Sequence, residues 1–85
     1  MPYVKKEDRN RFNVFTRLLD DQEINTPGEL NYLITMLVHK YLNMKPENYQ
    51  SYNDVIGALE GAKLELYRRH VSLYKDEKQV QNGDV

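Results

Sequence analysis

Eighty-five residues with twelve basic and thirteen acidic side chains, a formal net charge of -1, two histidines and no cysteine narrow what this chain can be. A chain this short forms one domain that buries a modest share of its surface, so partner surface helps its stability. The lack of cysteine excludes disulfide staples and Cys-type zinc sites and fits a reducing, intracellular setting, while the near-zero charge argues against a dedicated duplex-binding surface.

No charged-then-apolar leader opens the chain and no apolar run approaches the ~18 residues of a membrane span, so a soluble protein is expected. Charge is nevertheless segregated. Met1 to Arg17 carries five basic and two acidic residues, and Leu18 to Glu60 carries two basic and seven acidic ones.

The first predicted helix covers about 5–19, where Phe12, Phe15 and Leu19 recur at three- and four-residue spacing and Glu7 and Asp8 sit near the positive end. "DDQEINTPGE" interrupts the pattern. Thr26, Pro27 and Glu29 then supply a helix start: an N-cap, a proline at the first helical position and a capping-box acid. The second helix covers about 27–43 on Leu30, Leu33, Ile34, Leu37, Val38, Tyr41 and Leu42, and ends where Pro46 disfavours helix in the residue before it. Ser51, with Asp54 three residues on, predicts the start of a third and longest helix over about 52–73. Residues 75–85, "KDEKQVQNGDV", are polar, end in a turn-prone Asn82-Gly83 pair and are expected to be a mobile tail. Nothing alternates with period two for long enough to make a strand beyond an N-terminal "YVK" edge at best. The fold class is all-α, a small domain of three helices over 1–74.

In helix three, Tyr52, Val55, Ile56, Leu59, Ala62, Leu66, Leu73 and Tyr74 share an apolar side at 100° per residue, and Lys63 and His70 fall inside it. Lys63 has two readings. It lays its methylenes along the core and lets its ammonium reach water, the commoner behaviour of lysine, or it meets an anion in an enclosed pocket. His70 is well placed against the helix dipole without any ligand, and His39 has no spaced partner, so no metal site is expected.

Gly57, Gly61 and Leu64 share another face, continued by Val71, where two missing side chains let a second backbone come close. Each glycine costs up to ~1 kcal/mol relative to alanine in a helix, which close packing would offset. Tyr32 and Met36 lie off the main stripe of helix two and leave it apolar on two sides. A homodimer or larger assembly with helix three in its interface is the expectation, with Gly57, Gly61, Leu64, Tyr32 and Met36 as interface positions.

Seven tyrosines dominate the aromatic set, and tyrosine suits both wet interfaces and stacking against bases. Tyr49, Tyr52 and Asn53, near Asn48 and Gln50, form the densest group of amides and rings. Their ordinary role is loop packing and capping. Their functional role would be to hold a nucleotide-like ligand whose phosphates meet Lys63, Arg68 or Arg69, with Tyr67 beside them, or Lys5 and Arg9 from the basic N-terminus. Arg68 and Arg69 also complement the helix C-terminus, with Glu65 spaced to pair with Arg69. No paired-carboxylate, phosphate-loop or nucleophile motif is present, so a non-enzymatic protein without cofactor is expected.

The pieces "MPY", "KKEDR", "GELNYLIT", "YQSYNDVIGALE", "KLELYRR" and "NGDV" resemble a family of short domain-of-unknown-function proteins of tailed phages and of bacteria carrying mobile elements. The likeness covers most of the chain apart from Phe15 to Asn25 and Met44 to Glu47. It implies a small accessory protein of phage or prophage type acting in the bacterial cytoplasm. Such proteins are often inhibitors or adaptors of host proteins, and some compact oligomeric ones resemble sponges that sequester nucleotide signals of host defence. Two binding functions stay open: an oligomer that encloses a small anion, or one that presents a face to a host protein.

Overall fold

A computed structural model describes residues 4–83, and all of its regular structure is helical. The described chain divides into two compact units, one up to Tyr41 and one from Leu42 onward. Met1 to Tyr3 and Asp84 to Val85 lie outside the described residues, and with them the first residue of the "YVK" edge and the end of the polar tail; Val4 and Lys5 are described and form no strand.

The first unit opens with a 3-10 helix, Lys6–Phe12, that runs directly into α1, Asn13–Asp20. An α-helix was expected from about residue 5, yet its first half is wound more tightly, with the Asp8 N–H donating to the Lys5 carbonyl at 2.9 Å. Lys6 to Arg11 contains no apolar side chain, so no packed face favours α geometry until Phe12, Phe15 and Leu19 begin to recur. Helix α2, Pro27–Asn43, starts as its capping chemistry dictates. The Glu29 N–H donates to Thr26 Oγ1 at 3.1 Å, and Glu29 Oε1 accepts from the Asn25 N–H at 3.1 Å, one residue ahead of the cap.

In the second unit α3, Tyr49–Leu66, passes through one π-helical turn, Tyr67–Val71, into α4, Ser72–Asn82. Together they make one continuous helix of 34 residues, the longest of three. It begins three residues before the expected start because Asn48, and not Ser51, is the cap. Asn48 Oδ1 accepts from the Ser51 N–H at 2.9 Å, while the buried Ser51 hydroxyl donates to the Pro46 carbonyl at 2.7 Å. Nor does the helix stop near Leu73. The polar segment from residue 75 is helical through Asn82, and Gly83, at φ 86°, takes the left-handed turn that ends it.

The π turn is the feature with most consequence. Ser72 N–H donates to the Tyr67 carbonyl five residues back, so one extra residue enters the turn and everything after it is rotated by about 100° from α phase. His70, expected inside the apolar arc, is exposed, and Val71, expected on the glycine face, is half-buried. Among the described residues no helix is long and apolar enough to cross a membrane.

Candidate functional site

Glu65 is the centre of the charged surface around the π turn. Arg68 Nη2 donates to Glu65 Oε1 at 2.7 Å, one turn away, and Arg69 Nε donates to the same oxygen. Hydrogen bonds from Arg68 and then Arg69 hold the Glu65 carboxyl below its ordinary value, against a smaller effect of partial desolvation. One carboxylate thus accepts from two guanidinium groups.

The turn also builds a pair that α periodicity does not foresee. Lys75 Nζ donates to Tyr67 Oη at 2.7 Å and lies 5.2 Å from the centre of the same ring. Eight residues apart, the two would stand about 80° round an unbroken α-helix. The extra residue of the π turn makes those eight into roughly two whole turns and brings Lys75 into line with Tyr67. The hydrogen bond to Tyr67 raises the Lys75 ammonium above its ordinary value, keeping it charged. Lys75 is absent from the expected ligand set, and only the π turn could have pointed to it. Lys63 sits one turn before Tyr67 with its side chain 70% exposed and its ammonium 3.5 Å from Glu60. Lys63, Tyr67, Arg68, Arg69 and Lys75 therefore share one solvent-facing length of a single helix.

The second group of expected ligand residues lies at the helix start. Tyr49 is the first helical residue and is 81% exposed. Tyr52 Oη donates to Glu47 Oε1 at 3.2 Å, and the Glu47 carboxylate pushes the phenol above its ordinary value. Gln50 Nε2 donates to Asp54 Oδ1 at 2.7 Å, and Asn53 is exposed. Asn48 and Gln50 thus have the local structural roles that such residues commonly take. Fifteen residues separate Tyr52 from Tyr67, about 22 Å along a rigid helix, so one copy of the helix does not bring the two groups into one pocket. Of the N-terminal cations, Arg9 Nε donates to the Val4 carbonyl at 3.1 Å.

A family profile, described as a domain of unknown function, matches residues 1–85. The chain belongs to the DUF6899 family. No curated protein and no solved structure matches it.

Four of the five expected interface positions of this DUF6899 chain are open to solvent and one is buried. Tyr32, Met36 and Leu64 are exposed, and among the described residues a Cβ built on Gly57 meets no atom within 4 Å. Gly61 is buried. Tyr32 also borders an open groove of about 360 Å³ shared with Ile24, Gly28 and Leu33. Among the described residues no three His, Cys, Asp or Glu side chains gather where a metal could be held.

Proposed function

We propose that this protein is a non-enzymatic, oligomeric accessory protein of phage or prophage type that binds a small anionic ligand in the cytoplasm of a bacterial host, and that a nucleotide signal of host defence is the ligand it sequesters. The observation that carries this reading is the cationic length of helix around the π turn. Lys63, Arg68, Arg69 and Lys75 lie along this length with Lys75 over the ring of Tyr67 and Glu60 and Glu65 as counter-charges, a combination suited to phosphate and to a stacked base.

Melting temperature followed against a panel of cyclic and linear nucleotides tests it. A ligand that binds only the native state stabilises by ~2.7 kcal/mol at 100 times its dissociation constant. The expected result is a shift with at least one nucleotide that disappears in Arg69→Gln and Lys75→Gln. Silence across the panel sinks the nucleotide reading.

The second reading is a protein-interaction module, an adaptor or inhibitor of a host protein with no small ligand. The exposed apolar side chains of α2 and α3, Tyr32, Met36, Ile56 and Leu64 among them, favour it.

A further inference from the structure

The 34-residue helix carries an apolar seam whose large side chains are mostly exposed. Tyr52, Val55, Leu59, Ala62 and Leu66 follow one another at alternating spacings of three and four, the heptad pattern of a helix that pairs with another. Beyond Leu66 an α-helix would offer Arg69 and Leu73 to this seam. The π turn shifts the register by one residue and offers His70 with Val71, then Tyr74. A seam broken in the sequence is thereby continued from Tyr52 to Tyr74, about 33 Å. Four of its large side chains stand in solvent: Tyr52 is 45% exposed, Leu59 43%, Leu66 55% and Tyr74 60%.

Charge along the helix selects the occupant. Tyr49 to Gly61 holds Asp54 and Glu60 and no basic residue, whereas Lys63 to Lys75 holds four basic residues against Glu65. A parallel copy would lay four cations beside the same four. An antiparallel copy lays each acidic segment beside a basic one and opposes the two helix dipoles. The midpoint of the seam falls at Lys63 and the midpoint between the acidic and basic segments at the neighbouring Ala62, so one two-fold axis satisfies both patterns.

We infer that a second copy of this chain covers the seam, antiparallel and centred near Lys63, with Tyr52 of one copy beside Tyr74 of the other. The pairing rests on the oligomer of the proposed function and deepens it. It brings together candidate ligand residues that one helix holds apart, setting the Tyr49–Asn53 end of one copy against Leu73 to Glu77 of the other, Lys75 among them, next to the end of its π turn. The anion site is then composite, with two equivalents per dimer.

The absence of native cysteine makes single-cysteine variants clean reporters of this geometry. Under mild oxidation, Ala62→Cys is expected to form a disulfide dimer alone. Tyr52→Cys and Tyr74→Cys are each expected to stay reduced alone and to cross-link when mixed. Cross-linking of Tyr52→Cys with itself and Tyr74→Cys with itself, at an oligomeric mass by light scattering, overturns the antiparallel pairing and leaves the oligomer standing. A monomeric mass at high micromolar concentration overturns both. If either tyrosine variant loses helicity by circular dichroism, the exposed pair Gln50→Cys and Asp76→Cys with a flexible bis-maleimide gives the same contrast.

Discussion

At the scale of single residues, the local chemistry makes two definite demands. Thr26 accepts the Glu29 N–H and closes the first turn of α2, so Thr26→Ala removes a cap and is expected to cost about 1 kcal/mol, read as a lowered midpoint in urea with unchanged slope. Thr26→Ser, which keeps the oxygen, should recover most of it. Glu65 adds a pH dependence whose sign follows from its partners. Its folded carboxyl is held below the ordinary 4.5 by Arg68 and Arg69, so the stabilisation is complete above that value and is lost as pH falls through it toward the lower folded value. Helicity followed by far-ultraviolet circular dichroism should therefore fall on acidification below about 4.5 in the native chain. Glu65→Gln should begin less helical at neutral pH and show a smaller step; an identical acid profile would mean that the two arginines do not act on this carboxylate.

At the scale of elements, what was legible in the sequence was whatever local chemistry decides. The start of α2 needs only Thr26, Pro27 and Glu29, all within one turn, and its end needs only Pro46. The start of α3 was displaced because Asn48 and Ser51 are both good cap residues, and the choice rested on Pro46, whose carbonyl takes the Ser51 hydroxyl and leaves Asn48 to cap. The π turn was illegible for a deeper reason. Period arithmetic assumes 100° at every residue, so a single extra residue is invisible to it and misplaces every position downstream. Lys75 came into line with Tyr67 on that account, and the pair was missed. The turn can be tested by removal. Deleting His70 should restore α phase, swing Lys75 about 100° away from Tyr67 and leave the helix content intact. Any nucleotide-induced melting shift should then be abolished in the deletion variant; an undiminished shift would separate ligand binding from the turn.

At the scale of the whole molecule, the long helix has two sides fit for contact, and they point in opposite directions. Gly57 and Leu64 lie about 180° round the helix from the middle of the Tyr52–Leu66 seam, so a second copy seated on the seam does not reach them. Among the described residues nothing reaches a Cβ at Gly57. In an isolated dimer, Gly57→Ala would therefore gain helix propensity, up to ~1 kcal/mol, at no steric cost. In an assembly that packs a further helix against this face, the added methyl meets a neighbouring backbone and the gain is lost. The two faces together favour an assembly larger than a dimer, with a melting temperature that rises with protein concentration. The expected result for Gly57→Ala is a smaller mass by light scattering, the seam cross-links of the dimer retained, and a melting temperature less dependent on concentration. A variant that melts higher with its mass unchanged would show that Gly57 faces only water, and that the seam alone holds the copies together.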